Sequence, residues 1–533
     1  MTTTAPSTSG VETLRVLPAH TAVAIVGSGF AGLGTAIQLQ RHGRTDFVVI
    51  EKAGDVGGTW RDNTYPGAAC DVPSQLYSFS FALNPDWSRS FSPQPEIQAY
   101  LQRTAREAGV LDRFSFDTEL QAARWDDATR RWHLTTSKGE MTADVLVTGS
   151  GGLSEPKMPE IDGIDGFEGT IFHSARWDHD AQLDGKRVAV IGTGASAIQI
   201  VPELAETVAH MDVYQRTAPW VMPRHDRRYT APERWAFKNV PGLMRLSRTA
   251  IYWGREAYVP VFTWKPKLAK PVEQLAKAHI AKGIADPALR EKVTPDFAFG
   301  CKRVLISNTY YPALGSDHVD VVDTGIARVT PRGIVDRDGV EREVDAIVVA
   351  TGFHTTDQPI AHHVTGSDGR TLADAWAEKG MAAYKGTTIA GFPNLFQLVG
   401  PNTGLGHSSM VFIIESQIRY VLAALDAMDE EGIAALSPTP AAQEAWTADV
   451  RRRMEPTVWS TGGCASWYLD EFGNNTTLWP RTTFMFRHLL GDFDTRRYDT
   501  VARADASDPG APDNDSSNDS STDSSTEKES IPA

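Results

Sequence analysis

Two glycine-rich loops, each set between an apolar strand and a helix, constrain this chain more than any other feature. Thr21-Ala-Val-Ala-Ile-Val26 is a continuous apolar run of the kind buried in a parallel sheet, and it leads straight into Gly27-Ser28-Gly29-Phe30-Ala31-Gly32. Leu33 to Gln40 continues as a helix, and Asp46-Phe-Val-Val-Ile50 forms a second strand closed by Glu51. A lone G-x-G-x-x-G is weak evidence. Placed between strand and helix, with an acid about 20 residues further on, it is a dinucleotide fingerprint. Gly27, Gly29 and Gly32 admit a pyrophosphate to the helix N-terminus, and Glu51 can accept from ribose hydroxyls.

The pattern recurs from Lys186. Arg187-Val-Ala-Val-Ile191 is a strand, Gly192-Thr193-Gly194-Ala195-Ser196-Ala197 is a G-x-G-x-x-A loop, and Ile198 to Thr207 is a helix. The next strand, His210 to Tyr214, ends in Gln215-Arg216-Thr217, where the first unit carries an acid. A guanidinium accommodates a 2′-phosphate that a carboxylate repels, so this loop prefers NADP over NAD; a solvated surface arginine is the competing reading of Arg216. An acid after one loop and an arginine after the other imply that FAD and NADPH meet in one polypeptide, and that the chemistry begins with hydride transfer.

Composition limits the settings in which such a pair of loops can sit. At 533 residues the chain has room for two to four domains at roughly 100–200 residues each. No apolar stretch approaches the ~20 residues of a membrane span, and Met1 to Gly10 lacks the basic-then-apolar order of a signal peptide, so the cytoplasm is the expected compartment. Cys70, Cys301 and Cys464 are far apart and form no Cys-x-x-Cys pair, which argues against a disulfide framework and against a thiol redox centre. Much of the net charge of −15 sits in the Ser/Asp-rich stretch from Asp505 to Glu529, and nucleic acid is not an expected partner.

Between the loops, Gly57-Gly58-Thr59-Trp60-Arg61-Asp62-Asn63-Thr64-Tyr65-Pro66-Gly67-Ala68-Ala69-Cys70-Asp71 combines close-approach glycines, aromatic faces at Trp60 and Tyr65, a forced turn and a terminal carboxylate. Such a stretch could wrap a flavin ring and aim Asp71 at it, or serve as an ordinary connector. Asp144 to Gly149 reads as a strand returning to the first sheet. Ala231 to Phe299 is helix-like, with Trp235, Trp253, Tyr258 and Trp264 expected in the core. Ala346 to Ala350 is a further buried strand, and a helix is expected from about Ser408 to Met428.

Phe167-Glu168-Gly169-Thr170-Ile171-Phe172-His173-Ser174-Ala175-Arg176-Trp177-Asp178 resembles, at every fixed position, the F-x-G-x-x-x-H-x-x-x-W-[P/D] fingerprint of the Baeyer–Villiger monooxygenases, and Gly57 to Asp71 resembles that family's other signature. The resemblance runs from Thr21 to about Arg487. It implies that Arg303 is the active-site arginine beside the flavin, that Asp71 holds it, and that Lys302 reaches the NADP 2′-phosphate together with Arg216 and Thr217. It further implies Gly58, Thr59, Trp60 and Tyr77 on the FAD side, Leu120 and Met410 at substrate-pocket positions beside the flavin, and Gly192, Thr193, Gly194, Ser196 and Trp467 on the NADP side, with Trp467 closing over the nucleotide. Phe167, Gly169, His173, Trp177 and Asp178 would position the linker between the nucleotide domains rather than touch substrate. No metal is implied. Ala69 stands where many members have an arginine, a departure that alters the charge around Asp71.

The expected fold is α/β with two Rossmann-like dinucleotide-binding domains. FAD would occupy residues 21–150 and 350–500, and NADP residues 151–349 with a helical insertion at about 231–299. Residues 1–20 and 501–533 would be disordered. The implied reaction inserts one oxygen of O2 beside a ketone carbonyl through a flavin C4a-peroxide, giving an ester or lactone. Alternatives are sulfur or nitrogen oxygenation, an NADPH-dependent flavoprotein reductase, and a non-catalytic flavin-binding regulator. A monomer is the default assembly.

Overall fold

The computed structural model describes residues 14, 16–264 and 266–503. His20–Val26 lies inside an eight-stranded sheet, parallel to Phe47–Ile50 on one side (Val23 opposite Phe47) and to Gly139–Thr148 on the other (His20 opposite Thr142). Strand alternation sorts its side chains. Val23 and Ile25 pack under the helix Phe30–Arg41, whereas Ala24 and Val26 face a second core with Trp125, Trp132 and Leu134. Leu120–Asp126 and Arg131–Thr136 extend the sheet as an antiparallel hairpin, and Leu395–Gln397 returns from late in the chain to pair with Gly139–Thr148.

The second sheet is five-stranded and all parallel, in the order Val319–Val322, His210–Tyr214, Arg187–Ile191, Ala346–Val349, Thr170–His173. Its two central neighbours carry the continuous apolar runs Val188–Ile191 and Ala346–Val349, buried because helices or further chain cover both faces. Both glycine loops leave their sheets at strand C-terminal ends, where ligands of such sheets bind.

Helices occupy Ala231–Asn239, Leu243–Glu256, Lys270–Gly283 and Pro287–Lys292. The aromatic residues expected in the core here are not in it: Trp235, Trp253 and Tyr258 are 64%, 57% and 47% exposed. The reason is that Ala231–Asn239 buries no residue and Leu243–Glu256 buries only Met244 and Glu256, so these helices form an outer layer. Tyr252 makes the inward contact instead, stacking on Phe412 at 4.9 Å. The side chain of Trp264 lies outside the described residues.

The acidic tail beyond Arg503 and most of the first 15 residues lie outside the described residues as well. The boundaries expected for disorder were too generous. Val501 and Ala502 complete the strand Tyr498–Ala502, antiparallel to Ile433–Pro438, and the Leu14 amide donates to the Phe114 carbonyl. Among the described residues no helix is long and apolar enough to cross a membrane.

Candidate active site

Local sterics dictate the first loop. Gly27 has φ +94°, and a Cβ on Gly32 would fall 1.8 Å from the Gly27 carbonyl oxygen, so only glycine closes this strand-to-helix turn. Gly57 and Gly58 also take positive φ, and a Cβ on Gly58 would come within 3.1 Å of the Gly29 Cα. The two segments thus meet backbone to backbone. Thr59–Asp62 follows as a short helix, and Trp60 Nε1 donates to Tyr77 Oη at 3.0 Å.

Glu51 is buried and its acceptor capacity is taken: Oε2 accepts from the Ser28 amide (2.8 Å) and hydroxyl (2.7 Å), and Oε1 from the Ala53 amide (2.9 Å) and Arg61 Nη1 (3.1 Å). A ribose hydroxyl would have to displace one of these donors, and the Arg61 side chain is the one able to move.

In the second loop Gly192 has φ +120° and Gly194 opens onto empty space where a Cβ would stand. Thr193 Oγ1 donates to the Thr217 carbonyl at 3.1 Å. The helices Phe30–Arg41 and Ala197–Leu204 both start without a side-chain cap, which leaves the opening amides of the first for a ligand; in the second, the Ile198 and Gln199 amides already donate to the Gly194 and Ser196 carbonyls at 3.1 Å each. This donor set, with the open cradle at Gly194, fits a dinucleotide at each loop.

Lys302 and Arg303 reach in opposite directions, one toward Thr217 and the other toward Asp71. Lys302 Nζ donates to Thr217 Oγ1 at 2.6 Å and stands 4.9 Å over the Phe297 ring. Burial, then the charge of Arg216, weakens its hold on its proton, as expected of two cations converging on one anion site. Arg303 turns the other way. Its Nε and Nη2 donate to Asp71 Oδ2 at 3.0 and 2.7 Å, and Nη1 donates to the Leu405 carbonyl at 3.1 Å. Both side chains of the pair keep 28% exposure. Burial alone would push the Asp71 carboxyl up; the charge and hydrogen bonds of Arg303, with the charges of Arg255 and Arg224, outweigh it and hold Asp71 below the usual carboxylate range.

The cysteine expectation is overturned. Cys301 and Cys464 form a disulfide with Cα atoms 6.2 Å apart, leaving Cys70 as the buried free thiol. Their separation of 163 residues concealed the pairing, because spacing along the chain says nothing about a fold that packs both into one cluster with Phe262 and Trp459. The bond ties the Lys302-Arg303 turn to the stretch bearing Trp467 and Tyr468. Trp467 is 46% exposed, with its ring 4.4 Å from that of buried Tyr468.

Leu120 packs with Ala24, Val26 and Leu134 on the sheet face away from the Phe30–Arg41 helix, because strand alternation turns it into that core. Met410 opens the helix Met410–Glu430, half-buried against the cluster containing Leu405. Sequence reasoning missed Gln199, which joins the second loop's helix to the Gly57–Asp71 stretch by accepting from Tyr65 Oη (3.1 Å) and donating to the Ala69 carbonyl (3.0 Å). Only its place on the second loop's helix could have signalled it.

Comparison with known proteins decides the family. Residues 20–233 match the model of the flavin-binding monooxygenase-like family. A Baeyer-Villiger monooxygenase of Streptomyces coelicolor is 52% identical over 91% of this chain and 94% of its own length. The chain belongs to the Baeyer–Villiger monooxygenase family. Another Baeyer-Villiger monooxygenase, from Pseudomonas aeruginosa, is 51% identical over 90% of this chain and 91% of its own. The solved structure of OTEMO in complex with FAD and NADP superposes with a TM-score of 0.82 at 30% identity, covering 90% of this chain and 99% of that one.

In this monooxygenase the Phe167–Asp178 fingerprint builds the edge of the second sheet. A Cβ on Gly169 would lie 2.5 Å from the Asp345 carbonyl and 2.6 Å from the Phe167 ring, so glycine alone lets Thr170–His173 dock on Ala346–Val349. His173 Nδ1 accepts from the Ala175 amide at 3.1 Å; burial keeps the ring neutral, its pKa pushed down to about 4. Trp177 packs edge-on against Phe172 at 4.9 Å, and the exposed Asp178 Oδ1 accepts from the Asp180 amide at 3.0 Å.

Proposed function

We propose that this chain is an FAD- and NADPH-dependent Baeyer–Villiger monooxygenase that inserts one oxygen atom of O2 beside a ketone carbonyl and releases an ester or lactone. One observation carries the proposal: two consecutive residues turn to opposite sites, Lys302 reaching Thr217, which is bonded to Thr193 of the second loop, and Arg303 reaching Asp71 at the end of the stretch whose Gly58 packs on Gly29 of the first. We assign FAD to the first loop, on residues 21–150 and 350–500, and NADPH to the second, within 151–349. The OTEMO complex supports that cofactor pair, and the two close relatives support the reaction class.

Bound FAD and NADPH supply the hydride and the activation of O2. This chain supplies charge and shape. The Arg303 guanidinium keeps its proton, so negative charge developing on oxygen during attack on the carbonyl and carbon migration is stabilised without proton transfer. Asp71 orients that guanidinium. Tyr468, its pKa pushed up to about 12 by burial, and the Cys70 thiol, pushed higher still, offer no base at neutral pH. Lys302, Arg216 and Thr217 would hold the 2′-phosphate, and Trp467 would cover the nucleotide and keep water out. The need for NADPH favours the cytoplasm as the compartment, with a small ketone and O2 as the partners.

Product mass spectrometry under isotopically labelled O2, with linear, cyclic and aryl ketones and one aryl sulfide, tests the reading. One labelled oxygen in an ester is the expected result; NADPH consumed with hydrogen peroxide as the only product would favour a reductase. Lys302→Ala is expected to raise the NADPH KM by about 10- to 100-fold, the worth of one charge-assisted contact, with little change in NADH use. Steady-state kinetics with both nucleotides checks this, and an unchanged NADPH/NADH preference would remove Lys302 from the phosphate site.

A further inference from the structure

Three arginines surround Asp71, and oxygen insertion uses one of them. Arg224 Nη2 donates to the Cys70 carbonyl at 3.2 Å and fixes the backbone beside Asp71. Arg255, near the end of the helix Leu243–Glu256, places Nη2 3.5 Å from the Asp71 carbonyl oxygen, and its buried Nε has no partner among the described residues. A buried guanidinium N–H left unpaired costs stability. What Arg255 contributes is charge, and the opposing charge acting on it most strongly is that of Asp71.

The contacts close into a ring. Arg303 donates to the Leu405 carbonyl; two residues on, buried His407 pairs with buried Glu256 at 3.2 Å. Glu256 also accepts from the Thr483 amide (3.0 Å) and hydroxyl (2.7 Å), which pins the helix end that carries Arg255. Arg255 then returns to Asp71, and Asp71 to Arg303. Both Arg303 donors that reach Asp71 converge on Oδ2, so they lack the two-oxygen fork that would fix a carboxylate's orientation.

We propose that Arg255 is a positioning residue: seated on Asp71 by the pinned end of its helix, it keeps Asp71 ionised and in place independently of Arg303, and thereby sets where Arg303 stands. The inference rests on the Asp71–Arg303 pair serving oxygen insertion. His407 and Glu256 titrate in the same ring, one contact removed from Asp71, and the groups facing Asp71 itself are few. Besides the three arginines these are the Cys70 thiol and the phenols of Tyr65, Tyr77 and Tyr468, all pushed up by burial and neutral well above pH 7.

The test starts from the flavin-loaded Arg303→Met protein, with the visible spectrum of the bound flavin followed from about pH 5.5 to about pH 9, above the usual carboxylate range. Arg303→Met alone should show no transition. Adding Arg255→Met should introduce a one-proton transition within the window, and Arg255→Lys in its place should abolish it. A flat double Met variant, a transition already present in Arg303→Met, or equal transitions with Met and Lys would each overturn the proposal. This readout needs no turnover, so failure of the ester-forming assignment would leave it interpretable. If the double variant does not hold flavin, Arg255→Gln with Arg303 intact decides. Ester formed per NADPH should fall about 10-fold, as misplacement of a reacting group does, with the NADPH KM within about twofold and Arg255→Lys recovering most of the loss. Gln and Lys equally poor, an unchanged ester yield, or a KM rising in step would make the role structural and end the proposal.

Discussion

Arg303→Ala is expected to lower ester formation by about 10²–10³-fold, the range measured when one preorganised charge-stabilising donor is removed. NADPH consumption should persist, with the electrons recovered as hydrogen peroxide, because Lys302 and the second loop remain intact. Parallel assays of ester, peroxide and NADPH separate the two outcomes, and an ester yield equal to that of the parent protein would remove Arg303 from the reaction. Arg303→Lys should not rescue it. A lysine offers a point charge and cannot place two donors on Asp71 Oδ2 while a third reaches the Leu405 carbonyl. Asp71→Asn keeps the shape and removes the charge. Its stability cost should be about 1–2 kcal/mol, between an exposed and a fully buried pair, since both side chains retain 28% exposure. The pH dependence has a definite sign. With the folded Asp71 held low, the pair's contribution is complete above the unfolded carboxyl value near pH 4 and is lost as pH falls through the folded value.

The second large effect concerns Cys301–Cys464. The bond closes 163 residues of chain, for which the loop-entropy model gives about 5 kcal/mol relative to the reduced protein, although the entropic account depends on the model. In a protein of this size that corresponds to about 5 °C in Tm. The Cys301→Ser/Cys464→Ser variant should melt lower by that order and lose NADP affinity before FAD affinity, because the bond joins the Lys302 turn to the Trp467 stretch. Alkylation of the denatured protein should label Cys70 alone without reductant and all three cysteines with it. Three labels without reductant, or a variant with the parent's Tm, would show that the bond does not hold the site. The proposed cytoplasmic setting sharpens the question, since cytosolic thiol pools oppose such bonds.

How far the sequence disclosed this molecule depended on whether the information was local. The glycine loops were legible because strand, turn and helix are contiguous, and the strands His20–Val26, Arg187–Ile191 and Ala346–Val349 lie where continuous apolar runs placed them. Asp71 and Arg303 are distant in sequence, and their pairing was anticipated only through a family signature; the structure supplies the 2.7 Å contact. Arg255 and Gln199 carried no signature, since a helical arginine or glutamine is ordinary until its neighbours across the fold are known. Cys301 and Cys464 misled for the same reason. Trp235 and Trp253 misled differently. Hydrophobicity predicts burial only for a helix that has something on that face, and these helices lie at the periphery.

The Lys302-Arg303 turn has a consequence for chain length. Upstream, Cys301 is bolted to Cys464; downstream, Leu305 is held in register with Val221 of the strand Val221–Met222. Three residues lie between these anchors, and two of them must face opposite partners. A side chain here can be exchanged with graded effect. Inserting or deleting one residue would instead present the guanidinium and the ammonium to each other's partners, or break one of the anchors. This turn is therefore a place where the protein has tolerance in composition and none in spacing.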